Sequence, residues 1–153
     1  MVNVVARGDT TMVDAYLTPH IMKYLDSFRS GFTDRLKETE LMLMQSDGGL
    51  PDSSGFKGSN AILSGPAGGV VGYAMTTDLD MPVIGFDMGG TSPDVSLVHD
   101  GAPEHAFESA VGGVRVLAPM LRIHTVAAGG GSVCRFDGFR LAVGPESTGA
   151  QPG

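Results

Sequence analysis

The spacing of apolar residues in the first quarter of the chain predicts an amphipathic helix between residue 11 and about residue 40. Polar residues separate the apolar ones, and the spacing places the apolar side chains on one face of a helix, which we expect to lie in the core. Proline is tolerated in the first turn of a helix, so the main helix is predicted to begin at Pro19. Thr18, the residue before it, is then the predicted N-cap. The preceding VNVVA segment is typical of a strand. The apolar stripe consists of Ile21, Leu25, Phe28 and Phe32.

After residue 40 the pattern changes to short apolar runs separated by glycines and polar residues. The run at 41–45 predicts a buried strand that enters a glycine turn, and a helix is expected from about Ala67 to Thr77. The segments at 82–86 and 94–98 are predicted to form the two arms of a hairpin. Helices followed by β-ribbons predict an α/β or α+β fold. The remaining strand candidates are 104–108, 113–117, 122–126 and 139–143.

The stretch DMGGTSPD, in the turn of the predicted hairpin, has the groups that a phosphate and metal site needs. Its glycines carry no side chain to block close approach of their N–H groups to phosphate oxygens, and its hydroxyls can donate further hydrogen bonds. Its two carboxylates could hold Mg²⁺ through bound water. A tight hairpin whose Asp and Thr side chains cap their own backbone explains the same pattern, and spacing alone does not choose. The candidates are Asp87, Gly89, Gly90, Thr91, Ser92 and Asp94.

Two further glycine-rich stretches are candidates for ligand contact. AAGGGS follows the predicted strand at 122–126, and its Gly129, Gly130 and Gly131 permit backbone contact with a phosphate or a flat ring, although such runs also occur in flexible loops. SGPAGG precedes a predicted helix, and helix N-termini attract anions. Neither stretch matches a P-loop or a strand-GxGxxG-helix order, so those two nucleotide-binding folds are disfavoured.

Composition narrows the class of protein. The 153 residues, 42% hydrophobic and 18% charged, are typical of one soluble globular domain. A net charge of −7 argues against a nucleic-acid partner, which would require clustered Lys and Arg. The single cysteine, Cys134, excludes an intrachain disulfide; it fits a reducing, cytoplasmic location and is expected to be a buried small residue rather than a nucleophile. The chain has no apolar run of membrane-spanning length, so no membrane association is expected.

Six stretches of the chain carry a resemblance to a known family. In chain order they are RGDTTMVDAYLTPHIMKYL, MQSDGGL, AILSGPAGGVVGYA, VIGFDMGGTSPDVSLV, HTVAAGGGSV and VGPESTGAQPG. Together they resemble the ATP-dependent 5-oxoprolinase and hydantoinase A family, and most of all its 5-oxoprolinases. The resemblance implies an actin-like, sugar-kinase-like, Hsp70-like ATPase lobe. It also implies ATP-dependent phosphorylation of the carbonyl oxygen of a cyclic amide, followed by attack of water, which converts 5-oxo-L-proline to L-glutamate.

The resemblance also implies roles for the glycine loops. DMGGTSPD resembles the second phosphate loop of that fold, with Asp87 and Asp94 near Mg²⁺, and residues 129–131 resemble its nucleotide-side loop. The resemblance further implies a supporting turn and helix start at Ser64, Gly65, Gly68 and Gly69. Pro93 departs from the family, which usually has Thr there, and proline removes a hydroxyl and an N–H that phosphate could use.

Family members are several times longer than this chain, so we expect an internal fragment of an ATP-binding parent enzyme. The expected ligands are ATP, Mg²⁺ and 5-oxoproline. The parent is expected to form a homo-oligomer or to pair with a hydantoinase B-like half. Two alternatives remain open: a non-catalytic binding module, and a hydantoinase-type subunit that acts on another cyclic amide.

Overall fold

The computed structural model describes residues 3–32, 39–77 and 81–150. It has a mixed α/β composition and divides into two compact units. Unit 1 comprises Met1–Gly68 and His105–Leu121, and unit 2 comprises Gly69–Glu104 and Arg122–Gly153. The elements in chain order are α1 (Val4–Ser30), α2 (Ser64–Thr76), β1 (Val83–Met88), β2 (Pro93–His99), β3 (Ala102–Pro103), β4 (His105–Ala106), β5 (Ser109–Val111), β6 (Val114–Val116), β7 (Met120–Leu121), β8 (Ile123–Thr125), β9 (Ser132–Phe136) and β10 (Leu141–Ser147).

The first helix begins much earlier than its sequence pattern predicted. Asn3 is the N-cap of α1, and its side chain accepts a hydrogen bond from the Ala6 N–H at 3.2 Å. The predicted strand in VNVVA and the predicted Thr18 cap are therefore wrong, and Pro19 lies inside the helix rather than in its first turn. The helix ends at Ser30, and residues 33–38 of the predicted 11–40 segment lie outside the described part of the chain.

The core of unit 1 is only partly the stripe that the sequence predicted. Leu25 is buried, but Phe28 and Phe32 are 41% and 45% exposed, so that part of the prediction is wrong. Instead, Thr10 accepts a hydrogen bond from the Leu117 N–H at 2.8 Å, which ties the first half of α1 to the segment after β6. The apolar cluster at this place comprises Val116, Ala118 and Met120, packed against Val13, Ile62 and Leu63.

Ser46 connects three segments of unit 1. The prediction of a buried strand at 41–45 is wrong, because none of these residues is buried and a single bridge, from Met42 to Asp52, stands in place of a strand. This arm, residues 41–45, leads into the fully buried Ser46. The Ser46 hydroxyl donates to the Asn60 carbonyl at 2.7 Å and accepts from the Leu63 N–H at 3.0 Å. Its carbonyl accepts from the Leu121 N–H at 2.7 Å. One buried serine therefore links the arm, the segment before α2 and β7.

Unit 2 contains the hairpin that the sequence predicted. β1 and β2 pair antiparallel from Val83↔Val98 to Met88↔Pro93, and β2 also pairs with β8 and β3. The part of α2 that belongs to unit 2 lies against this hairpin, because the Tyr73 hydroxyl is hydrogen-bonded to the Ser96 hydroxyl. The ring of Tyr73 occupies the space that a side chain at Gly85 would need.

The β9–β10 hairpin is a second ribbon of unit 2, and the sequence predicted only part of its second strand. Cys134 is exposed on β9, so the expectation of a buried cysteine is wrong. Arg135 of β9 and Glu146 of β10 form an ion pair at 2.9 Å on this ribbon.

Within the described residues, no helix is long and apolar enough to cross a membrane.

Candidate functional site

The turn of the β1–β2 hairpin places the two predicted carboxylates opposite each other. Asp87 and Asp94 are partners in the strand register, and the N–H of Gly89 closes the turn by donating to the Ser92 carbonyl at 3.1 Å. Pro93 is buried as the first residue of β2, a strand position at which proline is tolerated. DMGGTSPD is therefore a tight hairpin turn with opposed acids, in which no Asp or Thr side chain caps the turn's own backbone among the described residues.

The structure joins two glycine loops that the sequence had predicted separately. The Gly130 N–H donates to the Gly89 carbonyl at 3.0 Å, and the Gly131 N–H donates to the Gly90 carbonyl at 2.7 Å. The Thr148 N–H in turn donates to the Gly131 carbonyl at 2.8 Å. Three backbone segments therefore meet at one place in unit 2.

Close backbone contact explains why glycines stand at this meeting point. A Cβ added at Gly129 would lie 2.5 Å from the Thr91 carbonyl carbon and 2.6 Å from the Ser92 nitrogen. A Cβ at Gly131 would lie 2.9 Å from the Gly90 carbonyl oxygen. Backbone atoms have little freedom to move aside, so these glycines are required by the contact between the loops themselves.

The same contacts determine which N–H groups remain available for an anion. Those of Gly89 and of the three loop glycines at 129–131 already donate to carbonyls or, for Gly129, to the Ser132 hydroxyl at 3.0 Å. By contrast, the N–H groups of Gly90 and Thr91 and the hydroxyls of Thr91 and Ser92 make no hydrogen bond to another described residue. Donors without a partner among the described residues are thus concentrated at the tip of the turn, beside the two acids.

The two carboxylates have different neighbours. Thr125 of β8 donates its hydroxyl to Oδ1 of Asp94 at 2.5 Å, and Oδ2 of Asp87 would lie 2.8 Å from a Cβ placed on Gly69 of α2. Neither acid forms an ion pair with any described Lys or Arg.

The donor set at this pair of acids suits one Mg²⁺. Like charges directly opposite each other on paired strands are destabilising, so a cation between Asp87 and Asp94 would relieve their repulsion. Mg²⁺ commonly takes one or two carboxylates together with water and phosphate oxygens. The described residues contain no group of three or more His, Cys, Asp or Glu that could form a metal site from protein side chains alone.

The third glycine stretch is divided between the two units. Ser64 and Gly65 line a largely apolar cavity of about 350 Å³ in unit 1, together with residues such as Tyr24, Leu25 and Phe56. Gly68 also belongs to unit 1, whereas Gly69 belongs to unit 2 and lies beside Asp87. Of the four predicted supporting positions, Gly69 is thus the one that the structure brings to the acidic pair.

The sequence pattern did not indicate Thr125, the residue of β8 that contacts Asp94. His124 is exposed on β8, opposite Val95, whereas Thr125 is the register partner of Asp94. The available signal was the alternation of side chains along a strand, since successive residues face opposite sides of the sheet. The pairing of β8 with β2, which makes this signal useful, is a long-range contact.

Comparison with known proteins decides the family. A family model described as hydantoinase/oxoprolinase matches residues 7–153. The chain belongs to the hydantoinase/oxoprolinase family. It is 53% identical to 5-oxoprolinase 1 of Arabidopsis thaliana and 48% identical to 5-oxoprolinase of Saccharomyces cerevisiae, in each case over 100% of this chain and 12% of the relative. The chain therefore spans about one eighth of the length of these two relatives.

Two solved structures share the fold of this chain. ATP-dependent caprolactamase from Pseudomonas jessenii superimposes with a TM-score of 0.75 at 36% identity, covering 99% of this chain and 23% of that one. A nucleotide-free structure of acetone carboxylase gives a TM-score of 0.59 at 28% identity over 72% of this chain and 16% of that one. Both of these proteins are ATP-dependent enzymes.

Proposed function

We propose that this chain is the central nucleotide-site segment of an ATP-dependent cyclic-amide hydrolase that converts 5-oxo-L-proline to L-glutamate. Its similarity along the whole chain to proteins named 5-oxoprolinase supports this substrate. The structural observation that carries the proposal is the junction of the two glycine loops beside the opposed Asp87 and Asp94. An actin-like ATPase lobe, in which such a loop grips nucleotide phosphates, is the fold we infer for the parent enzyme.

The chemical problem is that an amide carbonyl is a poor electrophile. Transfer of the γ-phosphoryl group of ATP to the amide oxygen releases ADP and makes the carbonyl carbon open to attack by water. The ring C–N bond then breaks. Phosphate leaves with the former amide oxygen, and a second water takes its place on the carbon to complete the carboxylate of the product. Mg²⁺, when bound, would offset the charge on the phosphates.

In this scheme the residues of the hairpin turn bind and orient the phosphates. The N–H groups of Gly90 and Thr91, which donate to no other described residue, would donate to phosphate oxygens together with the Thr91 and Ser92 hydroxyls. Asp87 and Asp94 would hold the cation, and residues 129–131 would support the turn from behind by the two backbone hydrogen bonds. Pro93 leaves this set of donors with one N–H fewer than another residue there would provide.

The same proposal covers the cellular location and the subunit assembly of the parent enzyme. We infer a cytoplasmic enzyme that works as a homo-oligomer or with a hydantoinase B-like half. A relative named caprolactamase subunit alpha, 36% identical over 96% of this chain, supports a multi-subunit arrangement. It also supports the second candidate function, which is hydrolysis of a different cyclic amide by a hydantoinase-type subunit.

The test is the release of glutamate from 5-oxoproline by the enzyme that carries this chain, with and without ATP. We expect strict ATP dependence and loss of turnover in Asp87→Asn and Asp94→Asn. ATP-dependent opening of caprolactam or a hydantoin, but not of 5-oxoproline, would favour the second candidate. If calorimetry detects no binding of Mg-ATP to that enzyme, the chain is a non-catalytic module and the proposal fails.

A further inference from the structure

Gly69 faces the candidate metal ligand Asp87. A Cβ at residue 69 would lie 2.8 Å from Oδ2 of Asp87, a distance at which one of the two groups must move. Gly72, one turn further along α2, has no atom within 4 Å of its own Cβ position. The close approach is therefore specific to one glycine of the helix.

A second pair of contacts shows why the helix lies so close to the strand at this point. Gly69 and Tyr73 are four residues apart and share a face of α2, whereas Gly85 and Asp87 are two apart and share a face of β1. The ring of Tyr73 covers Gly85, and its hydroxyl is hydrogen-bonded to Ser96, the register partner of Gly85. Tyr73 thus fixes the separation of helix and strand one step along from Asp87.

We propose that Gly69 is a positioning residue for Asp87, a role that rests on the metal site of the proposed function. At the separation set by Tyr73, a Cβ at residue 69 would meet the end of the Asp87 side chain, so the carboxylate or the helix must shift to make room. A methyl group at residue 69 moves the carboxylate away from its place opposite Asp94 or lifts the helix from the hairpin. The first outcome weakens a cation site that uses both acids.

The experiment compares Gly69→Ala with Gly72→Ala in the enzyme that carries this chain. Mn²⁺ serves as the probe for Mg²⁺, and its dissociation constant is measured by electron paramagnetic resonance alongside the melting temperature. We expect Gly69→Ala to weaken Mn²⁺ binding by about 10- to 100-fold, as is typical when the support of a metal ligand is lost. Gly72→Ala is expected to leave the affinity unchanged.

A variant with Asp87→Ala separates the inference from the proposed function. The positioning role is refuted if the wild type binds Mn²⁺ and if Asp87→Ala weakens that binding while Gly69→Ala does not. In that case the metal site still stands. If neither Asp87→Ala nor Asp94→Ala changes Mn²⁺ binding, the metal site itself fails.

Misfolding of Gly69→Ala would also be informative. In Gly69→Ala/Asp87→Ala the carboxylate that meets the new methyl group is gone, so we expect this double variant to fold. Recovery of the wild-type circular dichroism spectrum would identify displacement of Asp87 as the cause. A double variant that still fails to fold would show that Gly69 serves helix packing in general and would overturn the proposal.

Discussion

Thr125 donates a hydrogen bond from its Oγ1 to Oδ1 of Asp94 at 2.5 Å, across the register pair that joins β8 to β2. Hydrogen bonds to an ionised carboxylate are about twice as strong as those between neutral groups, and this one restricts the rotation of the Asp94 side chain. Asp94 is thereby oriented before any cation arrives. The side chain of Asp87, its partner on β1, makes no hydrogen bond to another described residue and lies beside Gly69.

Replacing Thr125 with valine should weaken a cation site at these acids. Valine keeps the shape of threonine but cannot donate, so Asp94 would rotate freely. We expect Mn²⁺ affinity to fall by about tenfold or more, in line with the loss of a hydrogen bond to a metal ligand. Thr125→Ser keeps the hydroxyl and should retain most of the affinity. Equal affinity in the valine and serine variants would mean that the hydroxyl does not support the site.

Gly129 and Gly130 provide a matched pair for testing the loop junction. A Cβ on Gly129 meets backbone atoms of the turn at 2.5 Å, whereas the nearest atom to a Cβ on Gly130 is the Gly89 carbonyl oxygen, at an ordinary 3.6 Å. Overpacking of this kind costs about 1–3 kcal/mol, so Gly129→Ala should lower the stability of unit 2 by that amount and Gly130→Ala should be much milder.

Hydrogen exchange gives the most direct measurement for this pair of variants. The amides of Gly130 and Gly131 bond to the turn, so they should exchange faster in Gly129→Ala than in the wild type. A Gly129→Ala variant with wild-type protection at both amides would contradict the close contact between the loops.

The parts of the fold that sequence predicted well are those encoded locally. The β1–β2 hairpin follows from two short apolar runs on either side of a glycine-rich turn, and the structure confirms the hairpin, with pairing from Val83↔Val98 to Met88↔Pro93. Helix α2 was placed correctly apart from its start, three residues earlier than expected. Asp87 and Asp94 could be nominated as a pair because a hairpin brings its two arms together.

The errors come from competition between local preference and tertiary contact. Two adjacent valines suggested a strand at the N-terminus, but the Asn3 cap and the burial of Ala6 favour a helix there. Phe28 and Phe32 have the spacing of a buried stripe but are substantially exposed in the described structure. The junction of the glycine loops and the Thr125 contact depend on pairing between distant segments, which spacing along one sequence does not encode.

Ser46 offers a stability test in unit 1. Its buried hydroxyl both donates to the Asn60 carbonyl and accepts from the Leu63 N–H, so Ser46→Ala leaves a partly buried N–H without this partner. An unsatisfied buried group costs about 1–3 kcal/mol, and we expect the free energy of unfolding to fall by that amount in a urea titration. Ser27→Ala, at an exposed position of α1, is the control and should change stability little. A loss equal to that of the control would show that Ser46 is not a structural link.

Asp14 should make the stability of unit 1 depend on pH. Its carboxylate accepts from the Ser59 N–H at 3.0 Å and from the Ser59 and Thr18 hydroxyls at 3.1 and 3.2 Å. Burial raises the pKa of Asp14, but these hydrogen bonds together with the charge of Lys57 outweigh burial and leave the pKa below its ordinary 3.8. The ionised form is therefore the one that the fold stabilises.

The sign of the pH effect follows from that lowered pKa. The contribution of Asp14 is fully present well above pH 3.8 and is lost as the pH falls through the lower pKa of the folded state. Asp14→Asn should lower the free energy of unfolding at pH 6, and the difference from the wild type should shrink as the pH approaches 3. Asp26→Asn, at an exposed position on the same helix, is the matched control and should not reproduce this convergence. A pH-independent difference between Asp14→Asn and the wild type would show that the hydrogen bonds of Asp14 do not favour its charged form.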